Sequence, residues 1–435
     1  MARLLIVVSL LLFPSTLSLP AIAQDILRGH GGPVRALAVR SDVPELISGS
    51  FDAAVIVWDL ERNAARRVLR FHDGAVNAVA VLTERCLASA GEDKRIAIWC
   101  GEDARPARVL DGHAAPVTSL APLDGGRRLA SGSFDGTVRL WDAANGRLER
   151  TIAEHKGPVT ALVVTADGSA IVSAGADGAL IRTELAASAG ATRLGLMGPV
   201  TALGSTPDGS IVAASSDGLV RIVSPALAVV AEIEVDTIPL ASLAVSRDGR
   251  LIATAGLRGG IAVIEVAGHR IVHRLTGPGL PVWSLAFDAD NRTLLSGGAD
   301  RVVRRWDAAT GKALSSTFPE RDVVAEAVAG GERGAAVFRA CQACHTLGPD
   351  GGNRAGPTLS GIFGRRVGTA PGYVYSDGFA MLDIVWSRET IARLFEVGPA
   401  AYTPGTKMPE QTITNPADRQ ALVDWLERIT VTARH

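Results

Sequence analysis

A short turn signal recurs seven times along the first two-thirds of the chain, and this repeat restricts the fold more than any other feature of the sequence. The signal centres on positions 52, 93, 135, 177, 217, 258 and 300, which are 40 to 42 residues apart. Each unit contains short segments with alternating apolar residues, separated by Gly, Asp and Asn. This pattern predicts short β-strands joined by tight turns.

Seven such units predict an all-β, seven-bladed propeller over residues 24–317. A four-stranded unit cannot bury both of its faces alone, whereas radial stacking of seven sheets buries them and leaves only short edges. Blade 7 has two candidates for its outer strand, residues 26–28 at the start and residues 312–316 at the end. The sequence does not choose between these two ways of closing the ring.

Gly-His and Trp-Asp pairs recur in the blades, for example Gly29-His30 with Trp58-Asp59 in blade 1. At these positions the repeats resemble the WD-repeat family. The resemblance implies a buried hydrogen-bond chain of His, Ser, Asp and Trp that fixes each blade, and a propeller that binds other proteins. Blades 1 and 3 match this set, with His30, Ser48, Asp52 and Trp58 and with His113, Ser131, Asp135 and Trp141. Blade 2 nearly matches it with His72, Ser89, Asp93 and Trp99, although its His lies one residue closer to the Asp.

The later blades depart from this pattern. Thr183, Val223 and Ile264 stand where the earlier blades have Trp, Arg258 replaces the turn Asp of blade 6, and blades 5 to 7 lack the His. We therefore expect weaker locks in the later blades. We also expect the histidines at positions 30, 72, 113 and 155 to fix blades rather than to bind metal.

The four cysteines fall into two pairs with different surroundings. Cys86 and Cys100 lie seven residues on either side of Asp93, so they are expected to face each other on neighbouring strands of blade 2. A cross-strand disulfide fits an oxidising compartment, but directly opposed strand positions are often a strained fit. A disulfide and two free thiols both remain open.

The second pair belongs to Cys341-Gln342-Ala343-Cys344-His345, the C-x-x-C-H pattern of covalent c-type haem attachment. Two thiols at this spacing reach the porphyrin while the adjacent imidazole approaches the iron. A redox C-x-x-C pair would instead be expected in a βαβ context, which is absent here. A zinc site would need two further ligands, and no second Cys or His pair follows.

The chain beyond a predicted linker, residues 318–331, loses the strand periodicity and forms a second predicted domain, residues 332–435. This domain resembles the class I cytochromes c of mitochondria and bacteria, which are all-α proteins. The resemblance rests on Ala-Gly-Pro-Thr-Leu at 355–359, Gly-Ile-Phe-Gly-Arg at 361–365, Ala-Pro-Gly-Tyr at 370–373, Ile-Val-Trp at 384–386 and Tyr-Thr-Pro-Gly-Thr-Lys-Met-Pro at 402–409.

The resemblance implies one covalently attached haem c and a role for each matching residue. It implies thioether bonds to Cys341 and Cys344, and iron ligation by His345 and Met408. It further implies that the Pro357 carbonyl accepts the free ring N–H of His345, and that the haem propionates are bonded or screened by Arg365, Tyr375 and Trp386. The family often has a Tyr bonded to the Met sulfur, and Leu394 stands in its place here.

The first 23 residues predict export. Arg3 is followed by an apolar run over residues 4–13 and by the small-residue cleavage pattern Ala21-Ile22-Ala23. The alternative is an uncleaved membrane anchor, but the run stops at Pro14, well short of the roughly 20 residues of a spanning helix. We expect cleavage before Gln24 and a periplasmic mature protein with no membrane span.

These features together predict a one-electron carrier whose propeller docks a redox partner protein. The alternative is an oxidoreductase with an active site on the propeller that passes electrons to the cytochrome. A ligand sensor or peroxidase is a third reading if Met408 does not ligate the iron. We expect electron transfer rather than catalysis, because the blades show no convergent carboxylates, metal-ligand cluster or activated nucleophile. The net charge of −1 favours neither nucleic acid nor an anionic membrane as partner.

Overall fold

A computed structural model of the chain describes residues 26–152, 155–186, 190–277, 279–314, 323–342, 344–348, 353–373 and 375–431. The predicted export signal, residues 1–23, lies outside these ranges. The described chain forms seven antiparallel sheets up to residue 313, and a helical domain from residue 323 onward. None of the helices in the described ranges combines the length and apolarity needed to cross a bilayer.

The seven sheets are the blades of a propeller, as the repeat predicts. The innermost strands of successive blades contact one another, and the innermost strand of blade 7 contacts that of blade 1 to complete the ring. From the inside outward, blades 1 to 3 comprise β2 (Val34–Val39), β3 (Glu45–Ser50), β4 (Ala54–Asp59), β5 (Ala64–Arg70); β6 (Val76–Thr83), β7 (Cys86–Gly91), β8 (Ile96–Cys100), β9 (Arg108–Leu110); and β10 (Val117–Leu123), β11 (Arg128–Ser133), β12 (Val138–Asp142), β13 (Arg147–Ile152).

Blades 4 to 6 repeat this arrangement. Their strands are β14 (Val159–Val164), β15 (Ala170–Gly175), β16 (Ala179–Glu184), β17 (Ala191–Gly195); β18 (Val200–Ser205), β19 (Ile211–Ser215), β20 (Leu219–Val223), β21 (Val229–Glu234); and β22 (Leu240–Val245), β23 (Leu251–Gly256), β24 (Ile261–Glu265), β25 (Arg270–Leu275). The second and third strands of the blades are almost wholly buried, because each sheet is covered on both faces by its neighbours.

Blade 7 closes the ring with strands from both ends of the propeller. It contains β26 (Val282–Phe287), β27 (Thr293–Gly298) and β28 (Val302–Asp307). Two short outer strands pair with β28: β1 (Leu27–Arg28) with its first half, and β29 (Lys312–Ala313) with its second half. The two candidates for the outer strand therefore share the position.

The hydrogen-bond chain expected in blade 1 is present. Nδ1 of His30 lies 3.0 Å from the Asp52 carboxylate, and Nε2 lies 2.7 Å from the Ser48 hydroxyl. The indole Nε1 of Trp58 donates to the same hydroxyl at 2.7 Å. Each polar group of this buried chain has a hydrogen-bond partner. The bonds therefore compensate the cost of removing these groups from water, and the chain orders the core.

Blades 2 and 3 have the same chain, and blade 4 has its His–Ser–Asp part through His155, Ser173 and Asp177. Blade 5 uses a different one. Buried Arg221 donates to Asp217 at 2.7 Å and to Glu232 at 2.6 Å. An arginine thus performs in blade 5 the bracing that histidine performs in the first four blades.

Cys86 and Cys100 form a disulfide in blade 2. They are directly paired residues on β7 and β8, as their spacing around Asp93 indicated. Of the two alternatives that the sequence left open, the structure has the bonded one.

The helical domain contains α1 (Val323–Ala329), α2 (Arg333–Phe338), α3 (Arg388–Val397), α4 (Pro399–Tyr402) and α5 (Pro416–Val431). A 3-10 helix also lies at Asp377–Met381. Helix α1 falls within the segment predicted as linker, yet Val324 is buried in the core of the helical domain. The packed part of this domain therefore includes Val324, which lies ahead of the predicted boundary at 332.

Candidate functional site

The pentapeptide at 341–345 follows helix α2, which is fixed by its crossing with α5. Phe338 packs on Trp425 with ring centroids 5.1 Å apart. Gly334 allows the close approach, since a Cβ there would overlap the Ala421 carbonyl oxygen. The crossing of the two helices therefore sets the position of the first cysteine.

Beside the pentapeptide lies a cavity of about 440 Å³, which we call the central cavity. Its walls are mainly apolar, with contributions from Leu359, Ile391, Phe395, Leu422 and Leu426. The size and the few convergent polar groups are typical of a cofactor pocket. The described residues of the pentapeptide that reach it are Cys341, Cys344 and His345.

His345 is oriented by the chain around it. Its Nδ1 donates to the carbonyl oxygen of Pro357 at 2.7 Å, as the resemblance implied. Burial lowers the pKa of His345, although the bond to Pro357 acts in the opposite direction. A Cβ at Gly356 would overlap the imidazole ring, so this position has room only for glycine. The bond to Pro357 keeps a proton on Nδ1 and fixes the ring, and Nε2 is left available for a metal.

The two thiols are unlike those of a redox C-x-x-C pair. Burial raises the pKa of Cys341 to about 11. Burial, helped by the charge of Asp52, does the same for Cys344. Redox dithiols rely on a lowered thiol pKa, so this environment does not suit disulfide exchange.

Met408 also lines the central cavity, and its thioether is the soft donor among the predicted ligands. Its backbone N–H donates to the Thr406 hydroxyl at 3.1 Å, which fixes the loop after helix α4. Leu394, which replaces the family's Tyr, is buried in the same wall. The structure therefore offers no phenol at this position to bond the Met sulfur.

The three residues predicted to meet the propionates lie together at the cavity. Arg365 donates to the Thr358 carbonyl at 2.6 Å and to the Ser360 carbonyl at 3.1 Å. Trp386 is held beside it by a backbone hydrogen bond of 2.9 Å to the Arg365 carbonyl. Tyr375 completes the group and stacks edge-on against Tyr373 at 4.8 Å.

Sequence reasoning missed part of the wall. Tyr373 lines the cavity and donates to the Ala355 carbonyl at 2.8 Å. The Ala-Pro-Gly-Tyr motif was a signal for it. Asp52 and Arg70 of propeller blade 1 also line the cavity, and no sequence signal indicates this, because the docking of one domain on another leaves no local pattern.

Comparison with known proteins agrees with this architecture. The model of the WD domain, G-beta repeat, matches six segments that together cover just over half of the chain: residues 23–59, 64–100, 104–142, 146–181, 194–224 and 269–307. The cytochrome c model matches residues 331–430. The first three strands of blade 6, β22 to β24, lie in the gap between the last two WD segments, consistent with the altered lock residues of this blade.

Curated relatives match the second domain. Cytochrome c of Cochliobolus lunatus is 40% identical over 100 residues, which are 23% of this chain and 92% of that protein. Cytochrome c of Arabidopsis thaliana is 40% identical over 100 residues, 23% of this chain and 88% of that protein. Cytochrome c of Gibberella zeae is 39% identical over 106 residues, which are 24% of this chain and 99% of that protein. The chain is a WD-repeat protein with a cytochrome c domain.

A haem cofactor follows from membership of the cytochrome c family, and the charges of the central cavity fit it. The charged residues among its described lining are Asp52, Arg70, Arg365 and Lys407. Three cations against one anion suit a cofactor that carries two propionates, since burying carboxylates without such partners is costly. Apolar walls, two thiols and a free imidazole nitrogen match the rest of a porphyrin that contains iron.

Proposed function

We propose that this WD-repeat protein is an exported class I c-type cytochrome that transfers one electron at a time through a single haem. Cys341 and Cys344 bond the porphyrin, and His345 and Met408 ligate the iron. The observation that carries the proposal is that all four side chains line the same central cavity. The propeller serves as a scaffold for docking a redox partner protein.

The chain's own groups prepare the site for electron exchange rather than for substrate binding. When bound, the haem supplies the one-electron couple. The bond from His345 to Pro357 keeps the proton on Nδ1 and makes Nε2 the ligating atom. The Met408 thioether, as the second ligand that the chain would supply, would favour the ferrous state and raise the reduction potential relative to ligation by two imidazoles.

The walls exclude water and hold the cofactor's carboxylates. Ile391, Leu394 and Phe395 of helix α3 are buried on one side of the cavity. Arg365, Tyr375 and Trp386 would hold or screen the propionates. A dry, rigid surrounding reduces reorganisation when the charge on the iron changes, which suits an outer-sphere carrier.

The ligand assignment is tested with Met408→Ala and Met381→Ala in the full-length protein. Met381 is 87% exposed, so its substitution is a matched control. The wild type should show covalent haem by mass, a low-spin spectrum and the far-red ferric charge-transfer band of Met ligation. Met408→Ala should lose that band and lower the potential, whereas Met381→Ala should keep both. An unchanged spectrum in Met408→Ala contradicts the assignment.

Export is tested separately. Fractionation of cells that express the full chain, with amino-terminal sequencing of the haem-containing product, should find the mature protein outside the cytoplasm, beginning at Gln24. A product that retains residues 1–23, or that accumulates with haem in the cytoplasm, contradicts this part of the proposal.

A further inference from the structure

One wall of the central cavity is built by the propeller. Three short segments of blade 1 and of the loop that precedes it reach the cavity, namely residues 31–33, residues 51–52 and Arg70. All three lie along one edge of the blade. They belong to the loop before β2, the turn between β3 and β4, and the end of β5. A Cβ at Gly31 would overlap the sulfur of Cys344. The thiol that is proposed to bond the porphyrin therefore lies directly against the propeller.

Backbone and side-chain hydrogen bonds hold this contact. The backbone N–H of Ala355 donates to the Gly29 carbonyl at 2.6 Å. Nε of Arg70 donates to the Tyr373 hydroxyl at 2.9 Å, and that hydroxyl donates to the Ala355 carbonyl. Blade 1 is thus bonded to the loop that contains Pro357, the acceptor for His345. The contact with blade 1 therefore extends to the part of the site that holds His345.

Blade 1 also brings two opposite charges to the cavity. Burial alone would raise the pKa of Asp52, but the charge and hydrogen bond of His30 and the charge of Arg70 outweigh it and lower the pKa to about 2. Asp52 is therefore an anion at neutral pH. Arg70 is always a cation. Charges in a cavity that excludes water act more strongly than charges at a surface.

We propose that blade 1 is part of the haem site, and that Asp52 and Arg70 are positioning residues that adjust the haem's reduction potential from outside the cytochrome domain. Asp52 favours the more positive ferric state, and Arg70 favours the ferrous state. The inference rests on the proposed function, because it assigns these two residues to the same haem.

The test measures midpoint potentials of Asp52→Asn and Arg70→Met by spectroelectrochemical titration of the full-length holoprotein. Loss of the anion should raise the potential, and loss of the cation should lower it. We expect each substitution to change the ferrous-to-ferric ratio at a fixed potential by at least threefold, or about 28 mV at 59 mV per tenfold. Opposite signs distinguish an electrostatic effect from general loosening of the interface.

Asp135→Asn is the matched control. Asp135 accepts from His113 in blade 3 as Asp52 does from His30 in blade 1, but it is not among the described residues that line the cavity. It should weaken the propeller as Asp52→Asn does and leave the potential unchanged. If Asp52→Asn does not fold, Arg70→Met decides alone, since Arg70 is outside the His–Ser–Asp–Trp chain.

Three results would overturn the inference. They are ferrous-to-ferric ratios within 1.3-fold of the wild-type ratio in both variants, shifts of the same sign in both variants, and an equal shift in Asp135→Asn. The wild-type spectrum separates this from failure of the proposed function. Loss of the expected Met-ligated spectrum in the wild type refutes the ligand assignment, whereas a normal spectrum with unmoved potentials refutes only the role of blade 1.

Discussion

The propeller and the cytochrome domain fill their interiors in different ways. In blades 1 to 4, buried histidine and serine side chains are paired within the protein itself. The cytochrome domain instead surrounds a cavity of about 440 Å³ that its own side chains do not fill. The difference indicates that the propeller folds on chain interactions alone, whereas the smaller domain depends on its cofactor for a filled core.

The largest effect is expected from removing the two thiols that are proposed to bond the porphyrin. Cys341→Ser with Cys344→Ser should abolish covalent haem, and the cytochrome domain should lose its cooperative unfolding transition because its core is left empty. The propeller transition should stay within about 1 °C of that of the wild type. Calorimetry with haem staining measures both. Loss of both transitions together would break the comparison, since it would show that the propeller also depends on haem.

Acid should act next, and on the propeller first. Hydrogen bonds and nearby charges outweigh the effect of burial and lower the pKa of the turn aspartates of blades 1 to 4, that of Asp52 to about 2. Such groups stabilise the fold fully above their unfolded pKa, about 4, and this contribution is lost as the pH falls toward 2. Tryptophan fluorescence against pH should show a loss of propeller stability that begins below about pH 4.

Asp135→Asn sharpens this prediction. It should reduce stability at pH 7 and flatten the acid limb, because one of the titrating groups is gone. An acid limb as steep as that of the wild type would show that these aspartates do not set the pH dependence.

A single hydroxyl should have a smaller effect, and its size should depend on the blade. Ser131→Ala leaves both His113 and Trp141 without their shared partner and should cost about 1–3 kcal/mol of unfolding free energy. Ser296→Ala removes only the partner of Trp306, at 2.8 Å, and should cost about 1 kcal/mol. Urea titrations compare the two. A larger loss in blade 7 would contradict the idea that the early blades carry the stronger locks.

The smallest effect is expected at the edge of the interface between the domains. Lys407 Nζ lies 2.8 Å from the Asp73 carboxylate, and the two side chains are 37% and 63% exposed. Exposed pairs of this kind contribute about 0–1 kcal/mol and are screened by salt. Asp73→Asn should shift the unfolding of the cytochrome domain by less than 1 kcal/mol, and 1 M salt should remove the difference.

Much of the fold and of the site was predictable because it depends on repeats and short motifs in the sequence. The 40- to 42-residue repeat predicted seven blades, and the residues of the first three locks took the expected bonds. The cytochrome motifs predicted the bond from His345 to Pro357 and the placement of Arg365, Tyr375 and Trp386 at one cavity.

The remainder depends on contacts between distant parts of the chain, which no local pattern records. Arg221 takes the place of a lock histidine by bonding the turn residue Asp217, which the repeat marks, and Glu232 on β21, which the repeat does not mark. The packing of helix α1 was not predicted, because the helix lies in a short segment that was assigned to the linker. Arg70 lines the central cavity and bonds Tyr373, which lies about 300 positions away in the sequence.

The place where the ring closes is also the place where the two domains meet. Strand β1 ends at Arg28, and the next residues, Gly29 and Gly31, are the ones that meet Ala355 and Cys344. The cytochrome domain therefore sits over the join between the first and last blades. The same short strand therefore closes the propeller and leads into the residues that meet the cytochrome domain.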